Sequence, residues 1–487
     1  METVKTDIPE GARAPHLWEA IVSLLSLVVG ISVSIVIYGL DPQIPMLLGV
    51  IVASIVALRC GFKWETIQEG MIRGIANALP AMIILIVVGI LIGVWILAGV
   101  VPTLIYYGLE VLSPKIFLPA TVAICALTAL ATGTSWGTTG TIGVALIGVG
   151  SGLGFPLPLV AGAVLSGAYF GDKMSPLSDT TNLAPAMAGT DLFTHIKHMA
   201  YTTGVAITLT LIIETVIGLS YSGGTGNVER IDTMLTVLDE TFTINPVMLL
   251  PPLIVMVVSY RRVPAIPGIA LGAIAGAVCA IGLQGADYDA IASAAFGGYE
   301  SDTGTEDVDS LLSRGGMQSM MYTISLIIVA MMFGGVMERT AQLRVIAGKV
   351  LSWADSTGSL ILSTVLTSIG ANLILCDQYM AIIMGARTYA EAYRDRGLAP
   401  QNLSRAVEDS ATVTANLVPW NSGGAYQAAT LGVATIAYAP FAFFCWLSPL
   451  VTILYGYMGW TITPLSESDE KADEESKTPA DAQPAEA

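Results

Sequence analysis

Charge is what this chain has least of. Only 12% of its 487 residues are Asp, Glu, Lys or Arg, against about 25% in a soluble globular domain, and its mean hydropathy is +0.70. An ordinary water-soluble fold is excluded. Histidine is scarce, with three in all, and no H-E-x-x-H pattern occurs, which excludes that type of zinc centre. The five cysteines, Cys60, Cys125, Cys279, Cys376 and Cys445, are isolated and without metal-ligand spacing. They read as small core residues. The N-terminus has no short apolar core followed by a small-residue cleavage site, so no cleaved signal is expected. No nucleophile–histidine pair falls inside the apolar runs. An enzyme is therefore not expected, nor a cofactor, nor a nucleic-acid partner.

What the chain does have is long apolar runs. By length they fall at 18–40, 44–60, 79–101, 116–132, 195–221, 243–260, 264–284, 317–337, 355–371 and 434–460, each near the roughly 20 residues needed to span a bilayer. Two stretches between them, 133–190 and 370–433, are apolar but rich in Gly, Ser, Thr and Asn. These predict broken helices or re-entrant hairpins. His16, His195 and His198 stand at segment ends, where an interfacial position outweighs a proton relay. The net charge of −17 gathers outside the spans, at 229–240, 287–309 and 467–486. The last of these lacks the apolar content to fold and is expected to be disordered.

The two halves resemble each other. Ile44-Pro45 matches Ile266-Pro267 and Gly61 matches Gly285, at offsets near 223. Beyond an acidic insertion around 298–312 the offset becomes 237, which pairs Gly133-Thr134-Ser135 with Gly370-Ala371-Asn372 and Asp172 with Asp409. Loop charges give the relative orientation. Arg59, Lys63 and Arg73 follow the second span, whereas the corresponding loop at 285–316 is acidic. Arg261 and Arg262 occupy a loop whose counterpart, 40–43, has no base. Corresponding loops thus fall on opposite sides. The expectation is an all-α polytopic membrane protein of two inverted-topology repeats, with broken helices or a re-entrant hairpin at the midplane of each. Its segments are a cytoplasmic N-terminal stretch 1–17, repeat 1 at 18–221, an acidic inter-repeat loop 222–242, repeat 2 at 243–462, and an acidic tail 463–487. Secondary transporters with such repeats bind substrate near the midplane, at broken helices in corresponding positions.

The stretch Gly167 to Asn182, G-A-Y-F-G-D-K-M-S-P-L-S-D-T-T-N, places Asp172, Lys173 and Asp179 among apolar runs. A charge at that depth costs about 2.5–3.5 kcal/mol on insertion scales, so these groups must face one another, water or an ion. Sodium takes oxygen ligands, and the surrounding hydroxyls and amides suit it. Asp172, Asp179 and Asp409 are the candidate ligands of transported sodium, with Asp377 and Glu408 as further ion-binding or proton-coupling acids. Thr134, Ser135, Thr138, Ser175, Ser178, Asn182, Asn372 and Asn416 are candidate supporting ligands, and Lys173 is the charge partner. For Gly133–Thr141 a small-residue helix-packing surface remains an alternative. For Asp172 and Asp179 the alternative is an interfacial loop or a bridge to Lys173. Glu214 within its span and Glu338 beside Arg339 are two further acids near membrane depth.

Together, G-T-S-W-G-T at Gly133–Thr138 and G-D-K-M-S-P-L-S-D-T-T-N at Gly171–Asn182 resemble the NhaC family of sodium/proton antiporters. G-V-M-E-R-T at Gly335–Thr340 extends the resemblance, which covers nearly all of the chain between its tails. It implies exchange of Na⁺ for H⁺ across the cell membrane by alternating access, with no bound cofactor. The family also includes malate/lactate antiporters, so a sodium- or proton-coupled organic-anion exchanger is the alternative. The scarcity of bases at membrane depth favours the cation. The lipid bilayer is the expected partner, and a homodimer is compatible with the sequence.

Overall fold

The computed structural model describes residues 8–9, 11–38, 40–221 and 226–465. It is helical throughout, and among the described residues the one bridge of strand type joins Leu398 and Pro464. The chain opens with α1 (Leu17–Ser32), prolonged by a π turn (Val33–Ile37), then α2 (Gln43–Arg59), α3 (Trp64–Leu97) and α4 (Val100–Val111). Next come α5 (Pro114–Thr132), α6 (Ser135–Thr138), a π turn (Thr139–Gly143), α7 (Val144–Gly152), α8 (Leu157–Met174), α9 (Asp179–Ala188) and α10 (Leu192–Ser220). After α11 (Gly226–Thr241) follow α12 (Leu250–Tyr260), α13 (Ala265–Leu283), α14 (Tyr288–Gly297), α15 (Glu306–Leu312), α16 (Met321–Arg339) and α17 (Gln342–Leu351). The last group is α18 (Thr357–Ile374), α19 (Gln378–Asp395), α20 (Pro400–Val407) with a π turn (Glu408–Thr412), α21 (Ser422–Leu431), α22 (Thr435–Tyr438) and α23 (Phe443–Met458).

Among the described residues six helices are long and apolar enough to cross a membrane, or up to eight spans if each of two bent helix pairs counts as one. The chain is therefore a multi-pass membrane protein. Side chains such as Ile274, Val278 and Ile281 of α13 are exposed along one face, as expected of a helix whose outer surface meets lipid rather than water. Each of the ten expected spans carries helix, but Leu17–Ser32 and Gln43–Arg59 fall short in length, and Pro246–Tyr260 and Phe443–Met458 belong to pairs bent by 97° and 56°. Two further differences concern α3 and α11. The third span continues backwards to Trp64 as a polar extension of α3. The acidic segment expected as a loop at 222–242 holds α11, which folds because Met234 and Leu238, one turn apart, are buried. The tail from 466 onward lies outside the described residues, as does part of the N-terminal stretch.

α3 and α16 pack backbone to backbone and antiparallel. A Cβ on Gly70 would lie 2.7 Å from the Gly335 carbonyl, and one on Gly89 would lie 2.6 Å from that of Gly316. Small residues permit this approach between transmembrane helices. Around this pair the halves repeat a motif. α5 runs in, α6–α7 returns, and α8 runs in again parallel to α5, with Gly167 against Val122 and Gly171 against Ala126. In the second half α18 runs in, α19 returns with Tyr393 on Thr364 and Tyr389 on Thr367, and α20 follows.

Five N-cap residues of the first part have counterparts 243 positions later: Ser113 and Ser356, Thr134 and Asp377, Pro156 and Ala399, Ser178 and Asn421, Asp191 and Ala434. This spacing differs from the 237 read from short sequence matches. It pairs Asp172 with Ala415 and Asp409 with Ser166.

Candidate functional site

The tips of the two hairpins are built alike. Gly133 has φ +71°, a left-handed conformation that glycine adopts freely, and Thr134 then caps α6 through its hydroxyl, which accepts from the Gly137 amide at 3.1 Å. In the other half Cys376 has φ +58°, and Asp377 caps α19, its carboxylate accepting from the Met380 amide at 3.0 Å. Both tips line one cavity of about 470 Å³. α8 and α9 supply the rest of its polar wall. α8 ends at Ser175, whose hydroxyl donates to the Leu130 carbonyl at 2.8 Å. Ser178 then caps α9.

This cavity gathers Asp172, Asp179 and Asp377, with Thr134, Ser135 and Ser178. Ser135 donates to Asp172 at 2.6 Å, a charge-assisted contact between the first tip and α8. Asp172 and Asp377 are buried, whereas Asp179 is exposed. Thr180, Gln378, Tyr379 and Asn77 complete the polar lining, and the remainder is largely apolar, with no Lys, Arg or His among the lining residues. Among the described residues no three acidic, histidine or cysteine side chains stand close enough to hold one metal ion together. The aspartates therefore line the cavity without forming a finished ligand shell.

Asp409 lies elsewhere. It forms a salt bridge with Lys173, both side chains wholly buried, and accepts hydrogen bonds from Thr202 and Thr452. Lys173 also donates to Ser448 at 2.9 Å, with its ammonium 5.7 Å from the centre of the Phe444 ring. Asp172 and Lys173 are adjacent on α8, so the wall between cavity and ion pair is one residue thick in sequence. Glu408 is wholly buried and neither carboxylate oxygen has a hydrogen-bond partner. Lys173 and Asp172 both act on it electrostatically.

The remaining candidates, Thr138, Ser175, Asn182, Asn372 and Asn416, are not among the lining residues and hold backbone instead. Thr138 donates to the Thr134 carbonyl at 2.9 Å. Asn182 donates to Pro176 at 3.0 Å and to Ser178 at 2.7 Å. Asn372 ties α18 to the π turn through the Ala411 carbonyl at 2.6 Å and to the Thr414 hydroxyl just beyond it at 3.0 Å. Asn416 donates to Val413 at 2.9 Å. Trp136 stacks on Tyr426 with ring centres 4.2 Å apart, joining α6 to α21. Glu214 is wholly buried with both oxygens unpartnered, and Arg339 pairs with Glu69 rather than with its neighbour Glu338.

Sequence reasoning passed over two groups and misplaced the histidines of a third. Thr202, Ser448 and Thr452 carry the Lys173–Asp409 pair, but single hydroxyls in apolar helices give little signal. Tyr379 and Gln378 follow the Asp377 cap into the cavity, a position that only the hairpin turn defines. His195 and His198, expected at the interface, are buried, together with Arg405. A basic residue three positions before Glu408 was the available clue.

The model of the Na+/H+ antiporter family matches residues 15–169 and 167–460. The Na(+)/H(+) antiporter NhaC of Alkalihalophilus pseudofirmus is 40% identical over 447 residues, 91% of this chain and 96% of that protein. The malate-2H(+)/Na(+)-lactate antiporter of Bacillus subtilis is 40% identical over 450 residues, 92% of this chain and 96% of its own length. The arginine/ornithine antiporter ArcD of Halobacterium salinarum is 35% identical over 471 residues, 96% of this chain and 97% of its own.

Proposed function

The chain belongs to the Na+/H+ antiporter family, and we propose that it is a secondary active transporter exchanging Na⁺ for H⁺ by alternating access in the cell membrane. One observation carries the choice of cargo: three carboxylates, drawn from both halves of the chain, line a single cavity that contains no basic side chain. Such a lining attracts a cation and repels a free carboxylate. Sodium needs oxygen donors, which Asp172, Asp179, Asp377, Ser135 and the tip hydroxyls supply. Carboxylates in a confined site hold either a cation or a proton, and that competition couples the two fluxes.

The constant spacing of the five N-caps, with antiparallel α3 and α16, supports two repeats of inverted topology meeting at the cavity. Arg59 ends α2, Lys63 is the N-cap of α3 and Arg73 lies in its third turn, and Arg261 and Arg262 precede Pro264 at the cavity rim. Setting these bases in the cytoplasm puts the N-terminus there and opens the cavity inward.

The test uses purified protein in liposomes with a lumenal pH dye. NaCl added alone drives protons out of loaded vesicles, and Asp172→Asn abolishes the response. Silence to NaCl with a response to sodium malate or lactate would replace this reading by organic-anion exchange. A response to arginine alone would indicate an organic cation, for which the cavity volume leaves room.

A further inference from the structure

His195, His198 and Thr202 occupy one face of α10, three and four residues apart, a spacing that stacks side chains along a helix. All three are buried. Thr202 donates to Asp409 at 2.7 Å. His195 Nδ1 lies 2.8 Å from the Ser404 hydroxyl of α20. The next residue, Arg405, is also wholly buried, and its Nη1 donates to the hydroxyl of half-buried Thr461 at 2.7 Å, beyond the end of α23. A polar column thus runs between α10 and α20 from Thr461 inward to Asp409.

This column holds four buried nitrogens without a hydrogen-bond partner: His195 Nε2, His198 Nε2, Arg405 Nε and Arg405 Nη2. Leaving such a group buried and unpaired is unfavourable. Among the described residues six buried side-chain nitrogens lack a partner, and four of the six lie in this column. Buried donors and acceptors in proteins are mostly paired, so such a concentration calls for an explanation. The groups facing His195 are Asp409 and Lys173, and those facing His198 are Arg405, Asp409 and His195, with Asn402 alongside and the Tyr201 ring edge-on. Asp409, Tyr393 and Tyr455 face Arg405. None of His195, His198 and Arg405 lines the carboxylate cavity.

We propose that His195 and His198 relay protons between the Thr461 end of the column and the buried charges around Asp409, by a route separate from the sodium cavity. A neutral imidazole accepts a proton on one ring nitrogen and releases the one on the other. Net charge on the column is unchanged once the proton has passed. Arg405, fixed on Thr461, disfavours a second stored positive charge and so keeps the rings in transit rather than loaded. The inference rests on the Na⁺/H⁺ reading and adds that the two ions reach the centre by different paths.

The experiment compares His195→Gln, His198→Gln and the double variant with the unaltered protein, all in liposomes. Two readouts are taken: NaCl-driven proton flux as a function of pH, and protection of the purified protein by NaCl against thermal unfolding. Ser404→Ala, which leaves both rings in place and removes the partner of His195, is a milder fourth variant. The expected result is unchanged protection by NaCl, with proton flux reduced at least about 10-fold in the double variant, since positioned acid–base groups contribute ~10²–10⁴. An altered pH profile in each single variant and a smaller loss in Ser404→Ala are also expected. Wild-type flux and pH profile in the double variant would overturn the relay. So would loss of NaCl protection together with flux, which marks a merely structural column. An unaltered protein without NaCl-driven flux would overturn the Na⁺/H⁺ reading itself, and the relay with it.

Discussion

Lys173 on α8 and Asp409 in the π turn after α20 meet as a salt bridge with no exposure of either side chain. They lie 236 residues apart in sequence. Lys173 is the neighbour of a cavity acid, and Asp409 the neighbour of the unpartnered Glu408. The pair therefore ties the two halves together at the back of the cavity.

Breaking that pair leaves a lone buried charge, which costs about 3–5 kcal/mol. Lys173→Met and Asp409→Asn are each expected to lower the thermal unfolding midpoint in detergent sharply. The double variant Lys173→Met with Asp409→Leu leaves no charge behind and recovers much of the loss. A loss in the double variant as large as the two single losses added together would contradict a direct pair.

The cavity acids should rank by burial and support. Asp172 is buried and hydrogen-bonded to Ser135, so Asp172→Asn is expected to eliminate sodium-driven flux. Exposed Asp179 matters less, and Asp179→Asn costs only a few-fold. A hydrogen bond to a charged group is worth about 1.5–3 kcal/mol, so Ser135→Ala weakens apparent sodium affinity by about 10-fold or more. Concentration dependence of NaCl-driven flux orders the three variants.

Much of this was legible in the sequence. Apolar length located nearly every span, because a bilayer imposes length directly. The interruptions at 133–190 and 370–433 announced broken helices through Gly, Pro, Ser and Asn. Pairing of the halves was less legible. Gly133 and Cys376 share a left-handed backbone but no chemistry, and Thr134 and Asp377 cap helices with different side chains. Matching by identity thus settled on an offset of 237 and coupled Asp172 to Asp409, where the caps repeat at 243. Which acid faces the cavity and which faces Lys173 depends on helix rotation, and adjacent residues such as Asp172 and Lys173 point about 100° apart.

The left-handed tips differ in what they tolerate. A Cβ on Gly133 would lie 2.7 Å from the Leu177 backbone, so Gly133→Ala must shift the turn beside Asp172 and is expected to reduce both stability and flux. Cys376 already carries a side chain in that conformation, at a cost of roughly 1–2 kcal/mol. Cys376→Gly relieves the backbone while leaving a small void. The unfolding midpoint should rise or stay level for Cys376→Gly and fall for Gly133→Ala.

Outside the membrane, Asp309 anchors the acidic insertion. Its carboxylate accepts from the Thr303 amide at 2.7 Å and from the Ser301 and Thr303 hydroxyls at 2.8 Å each. These contacts, the Thr303 amide foremost, hold its pKa below the ordinary carboxylate value. A depressed folded-state pKa stabilises above the unfolded value, and the stabilisation is lost as pH falls through the folded one. Amide exchange at Thr303 should stay protected from neutral pH down to about pH 4, near the usual aspartate value, and rise only below it. Asp309→Asn should remove that acid transition.

Asp377 serves two purposes that substitution can separate. As N-cap of α19 it accepts from the Met380 amide, and as a cavity acid it adds a negative charge to the lining. Asparagine is as good an N-cap as aspartate, whereas alanine at a cap costs about 0.5–2 kcal/mol. Asp377→Asn should therefore keep the unfolding midpoint and lower apparent sodium affinity. Asp377→Ala should lower both. If the two variants lost affinity only in proportion to stability, the carboxylate would be acting on helix geometry alone. A loss of affinity in Asp377→Asn at unchanged stability assigns its charge to the ion, and makes the second half of the chain a direct contributor to the site that the first half announces in sequence.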